Sequence, residues 1–420
     1  MSLTLTEKII ARHTESGKAV AGDMVEAQID LVMTNDVSGP LAIKELERHG
    51  IDRIFDPSRI ALVADHWTPS RDIRAAEASR VLREFARRHL IQHHYDVGSM
   101  GIEHALLPEM GLVAPGELIV AGDSHTCTHG ALGAFATGMG STDIAAAMAL
   151  GRVWLKVPES ILCVFEGALG PFVTGKDLAL WLIGQHGVDG AQYKSLEFRG
   201  STISALGMDD RFTLCNMGVE AGAKNAIIPP DDTSTAYLAD RVGRRYTPEE
   251  SDPDATYAQV WRFDSAQLCP VVAQPFSPGN VTPVRDLPRT KVDQVIIGSC
   301  TNGRLTDLRQ AARILEGRRV ASDVRLIVIP ASQEVTLQAL REGIIETLVS
   351  AGAAVSTPTC GPCFGGHMGV LADGEVCLST TNRNFRGRMG GVESRVYLGS
   401  PYTAAATAVA GHICTPEEVL

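Results

Sequence analysis

The chain has 420 residues, 45% of them apolar and 21% charged, with a formal net charge of -11. That composition fits a globular protein of about two to four domains whose core needs no covalent staples. The acidic balance argues against a broad nucleic-acid-binding face, and no apolar run approaches the roughly 20 residues that a membrane span requires. Nine cysteines, an odd number, accompany an N-terminus ("MSLTLTEKII") without an apolar signal region. A disulfide framework is therefore not expected, and a reducing cytoplasm is the expected setting.

Helical and strand signals alternate along the chain, which predicts an α/β protein with parallel sheets. "RIALVAD" (59–65) reads as a buried strand, followed by an amphipathic helix over about 70–89. "GELIVAGDSHT" (116–126) is a second strand that runs into a polar loop. "STDIAAAMALGRVW" (141–154) reads as one helix, with Ser141 as its N-cap and Asp143 in its first turn. The texture changes near 160, where "ESILCVFEGAL" opens a strand and "TGKDLALWLIGQHG" a helix. Residues 244–290, rich in Pro, Asp and Ser, read as a long irregular connection. From Lys291 the alternation resumes with the strand "VDQVII", the helix "LTDLRQAARILEG", the strand "VRLIVIPAS" and the helix "QEVTLQALREGIIETLVSAG". This pattern predicts three α/β domains, at 1–160, 161–284 and 285–420.

In open α/β sheets, chemistry collects beyond the carboxyl ends of the strands. Asp65-His66 follows the first strand; a carboxylate beside an imidazole fixes its tautomer and raises its pKa, as a general acid requires. "GIEHALLPE" carries His104, and "GDSHTCTHG" carries Asp123, Ser124, His125 and His129 in one short stretch. Cys127, in the same stretch, reads as a small buried thiol. "VIIGSCTNGR" places Cys300 just past a strand, where the backbone N–H groups of Thr301, Asn302 and Gly303 are expected to stabilise a bound sulfur.

"TCGPCFGG" (359–366) sets Cys360 and Cys363 three apart in a glycine-rich loop. Alone, such a pair serves half of a zinc site, a redox couple, or part of an iron–sulfur cluster. "STTNRNFRGRMGG" (379–391) gathers Arg383, Arg386 and Arg388 with Asn382 and Asn384, and guanidinium forks bind carboxylates in pairs of hydrogen bonds. These groups suggest a site for a di- or tricarboxylate.

Taken together, "AGDSHTCTHGALGAFATGMGSTD", "TLCNMGVEAGA", "GSCTNGRLTDLRQAA", "TCGPCFGGHMGVLADGE" and "STTNRNFRGRMG" resemble signatures of the aconitase superfamily, in the same order and over nearly the whole chain. Within it, the chain is most similar to the short large subunits shared by isopropylmalate dehydratases and homoaconitases. The resemblance implies an aconitase-type arrangement of three α/β domains around a cluster-containing cleft. It implies that Cys300, Cys360 and Cys363 hold a [4Fe-4S] cluster, with one iron not bound by a protein thiolate. It gives Asp65 and His66 the protonation of a departing hydroxyl, and it gives His104, Asp123 and His125 the ordering of water, with Asn216 and Glu220 completing that polar shell. Asn35, Asn382, Arg383 and Arg388 become substrate contacts. Full-length members carry a fourth, swivelling domain with a serine base, for which no match is found here. The expected partner is a separate small subunit that supplies the base and the specificity loop, and the expected substrate is a hydroxy di- or tricarboxylic acid. The reaction implied is isomerisation of 2- and 3-isopropylmalate through dehydration and rehydration, in leucine biosynthesis. The same chemistry on homocitrate or on a methylated malate is the alternative.

Overall fold

Short apolar runs that are buried at every position, such as Ile60–Val63 and Leu118–Ala121, form strands covered on both faces, as parallel sheets require. The structure, a computed structural model, describes residues 2–420. Five parallel strands lie in the order His93–Tyr95, Ile60–Val63, Leu31–Asn35, Leu118–Ala121, Phe135–Gly138. A second parallel sheet has four strands, Asn225–Ile227, Ser195–Arg199, Ser160–Glu166 and Gln259–Asp264. A third has seven, with Gln294–Ile297 at its centre between Arg325–Val328 and Val376–Ser379. Its antiparallel edge is made by Val271–Ala273 and Val281–Pro283, so this sheet begins before residue 285. The largest apolar core runs from Leu31 through Phe165 to Leu398 and ties the three sheets together. No helix among the described residues is long and apolar enough to cross a membrane.

Several expectations are corrected. The helix that opens at Ser141 stops at Leu150, its N-cap is Gly140 rather than Ser141, and Arg152–Lys156 is a strand. Gly151, with φ of 69°, ends the helix in the left-handed conformation that glycine adopts most easily. The predicted long helix after residue 332 is two, Gln333–Arg341 and Ile344–Ala351, broken at Gly343 with φ of 72°. The irregular stretch 244–290 holds three strands, whose alternation is masked in the sequence by flanking Pro and Asp.

Strand register positions the polar loops. Asn35 pairs with Val63 and Met33 with Ala121, so the residues just beyond, Asp36, Asp65 and Asp123, emerge along one sheet edge. Likewise Ile296 pairs with Ser379, which brings the loops bearing Cys300 and Asn382 out side by side.

The histidine-bearing turn Ser124–Leu132 is held against the strand Asn225–Ile227. Ile228 N donates to Gly130 O at 2.9 Å, and a Cβ on Gly130 would lie 1.8 Å from the carbonyl oxygen of Ala226. Gly130→Ala is therefore expected to destabilise the fold by about 3 kcal/mol, read as a lower denaturant midpoint at unchanged slope. An unchanged midpoint would show that this approach is looser than the geometry indicates.

Candidate active site

Three thiols converge from two loops of the seven-stranded sheet. Cys300, Cys360 and Cys363 are 4%, 8% and 2% exposed, and none is in a disulfide. Asn382 joins them: its Nδ2 donates to Cys300 Sγ at 3.4 Å, and its Oδ1 lies 3.3 Å from Cys363 Sγ. Asn216, at the end of the helix Met208–Asn216, donates a second amide N–H to Cys300 Sγ at 3.3 Å. Of the backbone N–H groups expected to stabilise a bound sulfur, those of Thr301 and Asn302 are engaged elsewhere. Residues 299–302 form a helical turn in which Thr301 N donates to Ser299 Oγ and Asn302 N to the Gly298 carbonyl. The Cys300 sulfur itself is served by the side-chain amides of Asn216 and Asn382. The turn is entered through Ser299 at φ of 72°, a left-handed conformation unusual for serine and costing on the order of 1 kcal/mol or more.

Cys360 is tied to the other half of the site, since its N–H donates to the Asp65 carbonyl at 2.9 Å. Within the CxxC turn, Cys363 and burial together push the Cys360 thiol well above the usual thiol range. Burial likewise pushes the Cys300 thiol up. Three buried thiols, two of them bridged by Asn382, with no fourth cysteine beside them are the donor set of a cluster held by three thiolates, whereas an all-cysteine structural zinc site takes four.

Facing the sulfurs is a network of carboxylates and imidazoles. Asp65 Oδ1 lies 2.6 Å from His66 Nδ1, and Asp65 Oδ2 accepts the Glu103 N–H at 2.8 Å. Burial disfavours charge on His66, but Asp65, with Glu103 and Asp123 beyond it, outweighs burial and holds the ring well above its ordinary value. The Phe364 ring sits 5.1 Å from the His66 ring, at the end of the CxxC turn. Asp123 Oδ1 lies 2.9 Å from His104 Nε2 and accepts the His125 N–H at 2.8 Å. Burial opposes ionisation of Asp123, yet hydrogen bonds from His104 and His125 keep it well below the usual carboxylate range. His125 Nε2 meets Glu220 Oε1 at 2.7 Å, and the same oxygen accepts from Arg383 Nε at 2.7 Å. His104 also faces the buried His129, with Nδ1 and Nε2 3.4 Å apart.

Asn35 lies in this network and donates to Glu103 Oε1 at 3.2 Å. Arg388 has a buried Nε without a hydrogen-bond partner, so it is available to an incoming acceptor. Arg386 is not: it pairs with Glu393 at the surface. Asn384 is structural and donates to the carbonyls of Ala273, Gln274 and Val396. Cys127 is an inert buried thiol, pushed up to about 12 by burial. Beside Asp123 and Ser124, a cavity of about 350 Å³ opens between Gly122, Gly138 and Lys224.

Three members of the site carried no distinct signal in the sequence. Asp36, next to Asn35, is fully buried and accepts from the N–H groups of Asp65, His66 and Trp67 at 3.2, 2.9 and 2.8 Å, shaping the acid-bearing loop. Glu103, the neighbour of His104, is buried with a free Oε2, and burial together with Asp65 and Asp123 pushes its carboxyl well above the ordinary range. Lys176 is the third; it lies in an apolar helix with no motif around it.

A family model described as "Aconitase family (aconitate hydratase)" matches residues 7–411. The chain belongs to the aconitase family. It is 56% identical over 419 residues to a "3-isopropylmalate dehydratase large subunit" of Heliobacterium modesticaldum, with all of both chains covered. Proteins of the same name from Desulfitobacterium hafniense and Aquifex aeolicus are 55% and 54% identical, covering all of this chain and 100% and 98% of theirs. Among solved structures, the holo-form of aconitase X from Thermococcus kodakaraensis shares the fold, with a TM-score of 0.53 at 13% identity and 88% of each chain covered. Family membership and the three buried thiols together imply an iron–sulfur cluster.

The His66–Asp65 pair yields a pH prediction. A raised folded-state value means that the pair stabilises the fold fully below pH 6.5, the ordinary histidine value, and that this contribution is lost as pH rises through the elevated value. At neutral pH the His66 ring is expected to be charged in the wild type and neutral in Asp65→Asn, as read by histidine NMR titration. A ring that titrates at its ordinary value in the wild type would contradict the pairing.

Proposed function

We propose that the chain is the cluster-bearing large subunit of a hydro-lyase that interconverts 2-isopropylmalate and 3-isopropylmalate, in leucine biosynthesis. The observation that carries this reading is the placement of three buried thiols, two bridged by Asn382 and the third tied to the Asp65 carbonyl, beside an Asp65–His66 pair whose carboxylate favours the protonated imidazole. Relatives matched end to end at 54–56% identity and named for that reaction support the choice of substrate.

Cys300, Cys360 and Cys363 would hold a [4Fe-4S] cluster, which with three thiolates for four irons would supply Lewis acidity toward the substrate hydroxyl. The remaining roles fall to side chains. His66 gives its proton to the departing hydroxyl, which leaves as water, and Asp65 holds the ring in the tautomer that presents Nε2. On rehydration the direction reverses, and His66 recovers a proton from the water whose oxygen adds to the neighbouring carbon. Asp123, kept ionised by His104 and His125, orients that water between two imidazoles. Arg388 takes a substrate carboxylate with its unpartnered fork, and Arg383, anchored by Glu220, takes the second. Asn35, whose oxygen accepts from the N–H groups of Val37 and Ser38 and whose amide already serves Glu103, has one amide N–H left for the substrate.

The carbon-bound proton needs a base. His66 is protonated in this reading, Asp123 and Glu220 are engaged by histidines and Arg383, and Glu103 is held toward its neutral form. We infer that the base comes from a small-subunit partner docked over the cleft, which also reads the alkyl group of the substrate.

Two outcomes test this reading. Reconstituted anaerobically, the chain mixed with its small subunit is expected to convert 3-isopropylmalate, while neither chain does so alone; turnover by this chain alone would contradict the proposed source of the base. Arg388→Ala is expected to retain the cluster absorbance and to lose on the order of a hundredfold in kcat/KM, comparable to truncating one partner of a buried charge pair. Unchanged kinetics would remove Arg388 from the substrate site.

A further inference from the structure

Lys176 lies in the first turn of the helix Gly175–His186 and is wholly buried. Its ammonium crosses to the seven-stranded sheet, donating to the carbonyls of Thr380 at 2.7 Å and Thr381 at 2.5 Å. Those carbonyls close the strand Val376–Ser379 and directly precede Asn382, whose amide lies between Cys300 and Cys363. Both hydrogen-bond partners of Lys176 are neutral. The acids nearby are occupied elsewhere: Asp177 accepts from Thr174 and Val271, and Asp307 from Asn302 and Arg304. A buried ammonium without a counter-charge is costly, and proteins normally compensate or neutralise it. Burial pushes Lys176 down to about 7, while Cys363, Asp177, Asp307 and Cys300 act in the opposite direction. Two of those four groups are proposed cluster ligands.

The cluster has the complementary problem. Three thiolates outweigh the double positive charge of a [4Fe-4S] core, so a net negative charge is buried with it, and the substrate brings further carboxylates. We propose that Lys176 is the counter-charge of the cluster: a fixed ammonium, delivered from the neighbouring sheet's helix, that offsets the thiolates and pins the turn carrying Asn382. This rests on the cluster-bearing reading of the site given above. Lys176 is a positioning residue, since it touches the backbone before Asn382 and neither substrate nor iron.

Three variants separate charge from tethering. Lys176→Gln keeps a hydrogen-bond donor without charge, Lys176→Met keeps neither, and Lys176→Arg keeps charge. Each is reconstituted anaerobically as the full chain. The readouts are iron and sulfide per chain, bleaching rate under a chelator, and the reduction midpoint of the cluster. The Gln and Met variants are expected to lose iron about 10- to 100-fold faster, as outer-shell substitutions at metal sites do, and to reduce at a more negative potential. The Arg variant is expected to stay near the wild type. A Gln variant matching the wild type in bleaching and potential overturns the proposal and leaves only a tether. If thermal unfolding shows that the neutral variants do not fold, the Arg variant decides: wild-type potential and iron retention support the counter-charge, and loss of both overturns it. Wild-type protein that takes up neither iron nor sulfide would instead overturn the reading of the site itself.

Discussion

The structure depends on one contact, the carboxamide of Asn382 set between the sulfurs of Cys300 and Cys363. Cys300 and Asn382 leave adjacent parallel strands in matched register, so the backbone that builds the sheet also sets where the carboxamide meets the Cys300 sulfur. The third sulfur, Cys360, is fixed by its N–H on the carbonyl of Asp65, which couples the thiol group to the acid-bearing loop of a different sheet. A shift of either sheet would separate the sulfurs from His66. The site is therefore as rigid as the two sheets, and it lies where their carboxyl ends meet.

Within a few ångströms the site sorts like groups into unlike states. Asp123, partly buried, is kept anionic by two histidines, whereas Glu103, fully buried, is pushed toward its neutral form by burial and by Asp65 and Asp123. His66 is held cationic by Asp65, whereas His129 is held neutral by burial and by His104. Environments that drive pKa values apart assign the acid and the anion to different residues. Crowding these charges together would be unfavourable without compensation, which is why the N–H groups of residues 65–67 converge on Asp36 and why Arg383 lies against Glu220.

Much of this was legible in the sequence because chemistry and turn signals coincide there. Asp65-His66 follows an unbroken apolar strand, Cys300 follows another, and both lie where a strand end predicts them. Asp36, Glu103 and Lys176 were not legible, for different reasons. Asp36 acts through three backbone N–H groups, a role that any turn aspartate could fill. Glu103 reads as an ordinary helix-start acid until the sheets assemble around it. Lys176 is isolated in an apolar helix, and only the contact with Thr380 and Thr381, some two hundred residues away, gives it meaning. The basic loop shows the converse. Of three arginines in one short stretch, folding turns Arg386 outward to Glu393 and brings Arg383 to Glu220 in the site, so proximity in sequence overstated the cluster.

The most direct test of the central claim is a count of iron and acid-labile sulfide per chain after anaerobic reconstitution, taken across single cysteine-to-serine variants. The account predicts about four of each in the wild type and in Cys127→Ser, with near-complete loss in Cys300→Ser, Cys360→Ser and Cys363→Ser. Full retention of iron and sulfide in any of those last three variants would contradict it.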